Sequence, residues 1–437
     1  MTQITASYKK VRTHIKQKPI PSLVLLIIII SFILKLLVGF YFKDSFFNRG
    51  NSSIALNAIA LNLINNHEYS IIKGIPSIDY EPLYPSILAI SYKLFSYNWF
   101  GVTFIQGILF GFTSYFLFLI GREVWNEQVG LIAAIYHSFY PYLFFHSLSV
   151  FDTTQYIFVI TMLLYFILRN EKKYLKIQHY AAIGCMIGLS ILSRGSAIAI
   201  LPPVILYIFI KSLNKGFFKN ITIMLTTTLI VLSPWLIRNY YYTQKIIMST
   251  HGPFGLWQGN NQYSYNCLKN NISCDEIYRM KPPPEIYQKF PIKSRPPIES
   301  IKVAEKYKNE AFRFIRNNPD EFMRLCRIKF VKFWSWTYNP VDSSYTFGSL
   351  KIRQLIYFIS YIPLLFSIPS GLFFLSKKSK INFLLFSGIL ITYTVAHVIV
   401  MGFSRLRLPL DLVLMILFGI TISTIYLKIQ NLLRYCD

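Results

Sequence analysis

The feature that most constrains the fold is a long apolar run near the N-terminus. Residues 22–42 read SLVLLIIIISFILKLLVGFYF and contain a single charged residue, Lys35. A helix of about 20 apolar residues is long enough to cross the hydrocarbon core of a bilayer. The basic stretch KKVRTHIKQK precedes the run, whereas a signal peptide has a shorter apolar core and a small-residue cleavage site. We therefore expect an uncleaved first membrane span with its N-terminus in the cytoplasm.

Apolar runs that could cross a bilayer continue along the whole chain. After the first span they lie near 99–120, 129–146, 153–168, 180–193, 197–210, 220–237, 352–375, 382–401 and 408–427. The chain is 53% hydrophobic and 15% charged, whereas soluble proteins average about 25% charged residues. The sequence thus predicts an all-α polytopic membrane protein, a bundle of about ten transmembrane helices.

The net charge of +26 would indicate nucleic-acid binding in a soluble protein. Here the basic residues concentrate in loops that alternating spans place on one side, and cytoplasmic loops are rich in Lys and Arg. These segments are RNEKKYLKIQH, KSLNKGFFKN, KKSK and the C-terminal KIQNLLRYCD. Both termini are therefore predicted to be cytoplasmic, and anionic membrane lipids, not nucleic acid, are the expected partners of this charge.

The alternation works only if residues 83–96 do not cross the membrane. This run has 14 residues and is predicted to form a helix along the outer face. The chain then divides into an N-terminal transmembrane module over 1–237, with a first outer loop at 43–98, and two further parts. An extracytoplasmic loop and helical region covers 238–351, and C-terminal transmembrane helices cover 352–437. In the second part, an amphipathic helical pattern is interrupted at Asn318-Pro319.

Few acidic residues lie near the predicted outer face. Asp79 and Glu81 precede Pro82 in DYEPLYPSILAISY, and Asp152 lies between two spans in SLSVFDTTQY. A carboxylate at the end of a span is costly unless it faces protein, water or a cation. Asp152 has two interpretations that both stay open: it caps the helix that follows, because D-T-T-Q is favourable capping chemistry, or it belongs to a functional site.

Arginines recur at the same predicted face, against the expected bias toward the cytoplasm. They are Arg194, Arg238, Arg405 and Arg407. A single arginine at a span end often reaches toward lipid headgroups. Four of them beside carboxylates favour a site for a lipid phosphate, because the guanidinium group binds phosphate through a planar pair of donors.

Six segments, taken in order, resemble a known family. They are EPLYPSILAI, GREVWNEQVGLIAAIYHSFYPYLFFHSLSVFDTTQY, IGLSILSRGS, SPWLIRNYYYTQKIIMSTHGPFGLWQGNNQ, EAFRFIRNNPDEFMRLCRIKFVKFW and SRLRLPLD. The chain resembles integral-membrane glycosyltransferases of the GT-C fold, in particular glycosyltransferase family 39. That family includes protein mannosyltransferases and the lipid A aminoarabinose transferase. The resemblance implies outer-face juxtamembrane helices, a small extracytoplasmic region, and a catalytic cavity beside the helix at 82–96.

The resemblance also assigns candidate site residues and exposes one departure. The second acidic position of the family falls on Asp152. At the first, just before the first outer-loop helix, this chain has Asn51-Ser52-Ser53 and no acid. Because Asn cannot act as a carboxylate base, either Asp44, Asp79 or Glu81 substitutes for the missing acid, or the protein is a catalytically inactive relative.

The resulting expectation is a glycosyltransferase of a bacterial inner membrane. It moves a sugar from a polyprenyl-phosphate donor to a glycan, lipid or protein acceptor on the outer side. Three groups of residues are assigned: Asp152, Glu81 and Asp79 as base or orienting groups, Arg194, Arg238, Arg405 and Arg407 as phosphate ligands, and Tyr84, Trp257 and Gln258 as the lining of the sugar pocket. A transporter or flippase of lipid-linked sugars is the alternative from another class. No metal ligands are assigned, although a divalent metal ion stays open.

The five cysteines include no CxxC pair, which argues against a zinc or thioredoxin-like site. Cys267 and Cys274 lie close together in the predicted outer region. We expect them to form a disulfide, because an extracytoplasmic compartment is oxidising.

Overall fold

The computed structural model of the protein describes residues 20–43, 50–169, 177–212, 216–269, 295–336 and 350–436. The first half of the chain forms helices α1 (Ile20–Tyr41), α2 (Gly50–Asn65), α3 (Leu83–Phe95), α4 (Trp99–Val124), α5 (Glu127–Phe139), α6 (Pro141–His146), α7 (Thr153–Leu168), α8 (Ile177–Ser193) and α9 (Leu201–Ser212). The second half forms α10 (Phe217–Thr243), α11 (His251–Gly259), α12 (Gln262–Lys269), α13 (Pro297–Asn317), α14 (Pro319–Phe333), α15 (Leu350–Lys378), α16 (Lys380–Val400) and α17 (Leu408–Cys436). Short 3₁₀ turns cover Gly195–Ile200 and Ser404–Arg407.

Seven helical segments within the described ranges are long and apolar enough to cross a membrane. They are Ile20–Tyr41, Trp99–Val124, Gly195–Ser212, Phe217–Thr243, Lys351–Lys378, Lys380–Val400 and Ser404–Leu433. The other three predicted spans correspond to shorter helices. Two of these are α7 and α8, with 16 and 17 residues, and the third is divided into α5 and α6.

The predicted span at 129–146 is therefore not one helix. Tyr140 has extended dihedral angles (φ −68°, ψ 109°) between α5 and α6, and Pro141 is the first residue of α6. Proline disfavours the helical conformation of the residue before it, because its ring collides with the preceding backbone. The helix is therefore interrupted at Tyr140.

Small residues allow the helices to approach closely. A Cβ atom on Gly130 of α5 would lie 2.2 Å from the carbonyl oxygen of Phe118 in α4, and one on Gly184 of α8 would lie 2.2 Å from that of Met224 in α10. Packing through small residues is the usual way in which membrane helices associate, because lipid gives little hydrophobic drive for contact between them. Large apolar side chains on the outside of the bundle are exposed, such as Leu37 of α1 at 63% and Ile237 of α10 at 68%.

Two hydrogen bonds connect predicted loops to neighbouring segments. Lys378 donates to the carbonyl of Trp125 at 2.7 Å, so the predicted inner loop KKSK lies beside the end of α4. Gly195 donates to Glu81 at 3.3 Å, which joins the turn after α8 to the first outer loop.

The predicted outer regions contain the non-spanning helices. The helix expected at 83–96 is α3, and the amphipathic pattern forms α13 and α14, which are divided at Asn318-Pro319 as expected. One element departs from an all-α chain: Ser70–Ile72 and Ile75–Pro76 pair as antiparallel strands β1 and β2. Gly74 makes their turn with φ +80°, a conformation that suits glycine. Asp44 and Cys274 lie outside the described residues, so the disulfide stays a prediction.

Candidate active site

Five separate segments bring polar residues together at one end of the bundle. They are the loop before α3, the start of α7, the turn after α8, the start of α11 and the 3₁₀ turn before α17. Each segment lies where a helix begins or ends. Hydrogen bonds connect several of these segments, and their polar side chains are partly exposed, so we call the region between them the cleft. The predicted residues Asp79, Glu81, Asp152, Arg194 and Arg405 all come from these segments.

Asp152 and Arg194 form an ion pair in this cleft. The Nε and Nη2 atoms of Arg194 donate to the two carboxylate oxygens of Asp152 at 3.0 and 2.6 Å. The side chains are 29% and 17% exposed, so the pair is partly shielded from water. Asp152 precedes the first residue of α7, but its side chain accepts no capping hydrogen bond. The capping interpretation of Asp152 is therefore wrong, because its carboxylate is turned toward Arg194.

One donor group of Arg194 lacks a partner among the described residues. Its guanidinium carbon lies 4.8 Å from the centre of the Tyr156 ring, which limits how far the group can turn. The buried Nη1 atom has no hydrogen-bond partner among the described residues. A buried donor without a partner is costly, so an oxygen atom of a bound ligand would stabilise this arrangement.

The other two carboxylates, Asp79 and Glu81, lie in the loop before α3. One oxygen of Glu81 accepts hydrogen bonds from the hydroxyl of Ser249 at 3.0 Å and from the backbone N–H of Gly195 at 3.3 Å. Asp79 accepts a hydrogen bond from the hydroxyl of Thr250. Burial raises the pKa of both carboxyl groups, and the hydrogen bonds from Ser249 and Thr250 partly oppose that rise.

His251 belongs to this site and was not singled out from the sequence. It is the first residue of α11, its side chain is exposed, and its ring stacks on Tyr80 with 5.6 Å between centres. Desolvation by the surrounding protein lowers its pKa, while the nearby charges of Asp79 and Asp152 raise it. An exposed ring with protein on several sides is what a residue lining an open cleft shows. The signal was in the sequence, since His251 lies in a segment already assigned to the family resemblance.

Arg405 lies at the edge of the same cleft. It is partly exposed, and its guanidinium carbon is 5.7 Å from the centre of the Phe151 ring, next to Asp152. Its positive charge acts on His251, as does that of Arg194. The two arginines therefore add to one positive potential in the cleft.

The other two predicted phosphate ligands have different contacts. Arg407 is fully buried, donates to Asp411 at 2.9 Å, and also donates to the carbonyl of Phe333 and the hydroxyl of Tyr357. The assignment of Arg407 to phosphate is wrong, because its guanidinium group is enclosed by protein partners. It holds α17, α14 and α15 together.

Arg238 is also occupied by protein. Its two terminal nitrogens donate to the backbone carbonyls of Ser77 and Tyr69 at 2.9 and 3.0 Å, and its guanidinium carbon lies 4.7 Å from the Trp235 ring centre. These contacts fasten the first outer loop, which bears Asp79 and Glu81, to α10. The structure thus gives Arg238 a supporting position behind the site.

The predicted lining of the sugar pocket is mostly buried. Tyr84 is 1% exposed and packs in an apolar cluster with residues such as Leu88 and Val102. Trp257 is 5% exposed and packs against Val303 and Tyr307 of α13. The structure therefore places these two in the packing around the cleft, because their neighbours are other side chains.

Gln258 is likewise buried, at 6% exposure. It precedes Gly259, at which α11 meets the end of α16.

The position without an acid lies at the start of α2. Ser52 makes a hydrogen bond with Tyr80, and burial raises the pKa of Tyr80 to about 12. The Asn51-Ser52-Ser53 stretch therefore lies next to the loop that carries Asp79 and Glu81. Among the described residues, no group of three His, Cys, Asp or Glu side chains could hold a metal ion.

Comparison with known proteins agrees with this architecture. Residues 79–237 match the family model described as Dolichyl-phosphate-mannose-protein mannosyltransferase. The structure is similar to the apo oligosaccharyltransferase of Archaeoglobus fulgidus, with a TM-score of 0.55 and 13% identity over 97% of this chain and 52% of that one. It is also similar to the AglB oligosaccharyltransferase of that organism in complex with an inhibitory peptide and a dolichol-phosphate, with a TM-score of 0.52 and 14% identity over 94% and 52% of the chains.

A weaker likeness links the chain to ArnT from Cupriavidus metallidurans bound to undecaprenyl phosphate, with a TM-score of 0.43 and 12% identity over 90% of this chain and 77% of that one. No curated protein sequence matches. The chain spans about half the length of the oligosaccharyltransferases it resembles. The GT-C fold expected from the sequence is confirmed.

Proposed function

We propose that this protein is a membrane glycosyltransferase that moves a sugar from a polyprenyl-phosphate donor to a glycan, lipid or protein acceptor. The observation that carries the proposal is the Asp152–Arg194 pair, which places a carboxylate and an unpartnered guanidinium donor side by side in one cleft. Transfer from a lipid phosphate needs both groups. The match of residues 79–237 to a mannosyltransferase family, which includes both residues, supports the proposal.

Arg194 and Arg405 hold the donor phosphate. Negative charge grows on that phosphate as the bond to the sugar breaks, so fixed cations beside it stabilise the transition state. Arg194 offers the free Nη1 atom while its other donors hold Asp152. The cleft lies at the ends of the spans, which lets the lipid tail of the donor stay in the bilayer. The AglB protein with the same fold is in complex with a dolichol-phosphate, which supports this donor class.

A carboxylate takes the proton of the acceptor. Asp152 is held by two hydrogen bonds in the geometry that presents it to the cleft. Glu81 and Asp79 are the other candidates, and the raised pKa of Glu81 brings it closer to that of an efficient base at neutral pH. These acids lie beside Asn51-Ser52-Ser53 and supply the carboxylates that this stretch lacks, which favours an active enzyme over an inactive relative.

The need for a base distinguishes the proposed enzyme from a transporter. A flippase of lipid-linked sugars needs the cations but no base. If the protein is an enzyme, membrane glycans from cells that express Asp152→Asn should lack the same sugar as those from cells without the gene. Normal glycans in the Asp152→Asn cells, at wild-type expression, would favour the flippase.

Donor binding is tested with undecaprenyl phosphate as the probe. Native mass spectrometry of the purified protein should show weaker binding for Arg194→Lys, because lysine keeps the charge but loses the fork of donors. The control is Arg122→Lys, a change at an exposed arginine in the last turn of α4. Equal binding by both variants and the wild type would remove Arg194 from the phosphate site.

We place the protein in a bacterial inner membrane, with cytoplasmic termini and the cleft outside, from the distribution of basic loops.

A further inference from the structure

A buried lysine of α14 is separate from the residues proposed to bind the donor or the acceptor. Lys329 of α14 is 1% exposed. Its ammonium donates to the side-chain oxygen of Asn260 at 2.8 Å and to the carbonyl of Ile399 at 3.2 Å, with that of Val400 at 3.5 Å. No carboxylate pairs with it in the part of the chain that the structure describes. Burying a cation without an anion is expensive, so this placement requires a reason.

The oxygen atoms explain why a cation is stable there. Ile399 and Val400 are the last residues of α16, where backbone carbonyls lack partners within the helix and carry the negative end of its dipole. The amide of Asn260 donates to the same two carbonyls at 3.0 and 3.3 Å. Lys329 and Asn260 together therefore cap the end of α16.

The backbone around this cap is packed without spare room. A Cβ atom on Gly402 would lie 2.4 Å from the Cβ of Lys329, and one on Gly259 would lie 1.7 Å from the carbonyl oxygen of Val400. Gly402 also has φ +68°, which suits glycine. The end of α16, α11 and α14 thus meet at backbone contact distance.

The segment that follows leads directly into the cleft. Three residues after Gly402, the 3₁₀ turn presents Arg405, and α11, which ends beside Asn260, begins with His251. We propose that Lys329 is a positioning residue that fixes Arg405 against the donor phosphate by capping α16 and bracing the turn after it. This inference rests on the proposed function, in which Arg405 binds phosphate.

The test compares Lys329→Met with Lys308→Met, a matched change at an exposed lysine of α13. Two measurements are made on purified full-length protein: affinity for undecaprenyl phosphate, and hydrogen exchange of residues 399–407. We expect Lys329→Met to bind about tenfold more weakly, the size of one hydrogen bond to a charged group (about 1.4 kcal/mol), and to exchange faster in 399–407. Lys308→Met should match the wild type in both.

A double variant shows whether the effect passes through Arg405. If it does, Lys329→Met should weaken binding much less in an Arg405→Ala background than in the wild type. Donor KM should rise while kcat at saturating donor stays nearly constant, which a general loss of folding would not produce. Unchanged exchange in 399–407, or fully additive effects of the two substitutions, would overturn the positioning role.

The two proposals fail in different ways. If Arg405→Ala alone leaves undecaprenyl phosphate binding unchanged, the phosphate role of Arg405 is wrong, and the positioning role of Lys329 with it. If Arg405→Ala weakens binding but Lys329→Met does not, only the inference about Lys329 is wrong. Should Lys329→Met not fold, Lys329→Gln keeps N–H donors for the carbonyls of α16 and is expected to show a smaller loss of affinity in the same direction.

Discussion

Replacing Asp152 with Asn tests the proposed chemistry most directly. The carboxylate accepts two hydrogen bonds from Arg194, at 3.0 and 2.6 Å. An Asn side chain has a single acceptor oxygen, so at least one of these bonds is lost, and the negative charge disappears. Removing one partner of a fully buried pair costs about 3–5 kcal/mol. Because Asp152 is 29% exposed, water partly compensates, and we expect roughly 1–2 kcal/mol of lost stability, near the value of one hydrogen bond to a charged group.

The expected loss of activity is larger than that structural cost. A general base contributes about 10²–10⁴-fold to rate, which corresponds to about 2.7–5.4 kcal/mol of the activation barrier. Asp152→Asn should therefore remain folded, with a slightly lower melting temperature, and lose about 100-fold or more in turnover. The assay is sugar transfer in membranes that contain equal amounts of each variant, with thermal melting measured on the purified proteins.

One outcome would refute the reasoning. Turnover within a few-fold of wild type, in a variant with a normal melting temperature, would show that Asp152 is not the base and would move that role to Glu81 or Asp79. A second comparison separates the base from a residue that only holds Arg194. If Asp152 only holds Arg194, the double variant Asp152→Asn, Arg194→Lys should lose no more turnover than the more severe single variant.

Three further outcomes are expected. Because the folded pKa of Glu81 is raised, its contribution to stability is full below about pH 4.3 and falls as pH rises through the folded pKa; Glu81→Gln should raise the melting temperature at pH 7 but not at pH 4, and an equal effect at both pH values would contradict this. Gly402→Ala should lower the melting temperature, since a left-handed conformation costs a side chain about 1–2 kcal/mol and the new Cβ would meet Lys329; an unchanged value would show that the turn can rearrange. Arg407→Met should be severely destabilised by about 3–5 kcal/mol, and adding Asp411→Leu should recover much of that loss, because the uncompensated buried carboxylate is then gone; equal instability of both variants in denaturation assays would count against an ion-pair role.

The spans and their order could be predicted because they depend on local properties. A run of apolar residues such as 22–42 must leave water whatever its neighbours are, and its length sets whether it can cross a bilayer. The break at Asn318-Pro319 and the start of the helix after Pro82 are also local, since proline restricts its own backbone and that of the residue before it. The apolar run at 129–146 follows the same rule, because Pro141 interrupts its helix at Tyr140.

The roles of the charged residues depended on tertiary contacts. Arg194, Arg238, Arg405 and Arg407 look alike in sequence, yet only Arg194 and Arg405 reach the cleft. Arg407 lies four residues from Asp411 on the same helical face and is enclosed by α14 and α15, while Arg238 meets carbonyls more than 160 residues away.

The sequence by itself determined that this chain crosses the membrane as a helical bundle and gathers acids and arginines at one face. Only the tertiary structure decided which acid meets which arginine, that His251 joins them, and that Lys329 donates to the carbonyls at the end of α16. The physical reason is the distance along the chain over which each effect acts. Hydropathy and backbone preference act within a few residues, whereas the charge on a buried side chain is stable only beside partners brought from distant parts of the chain.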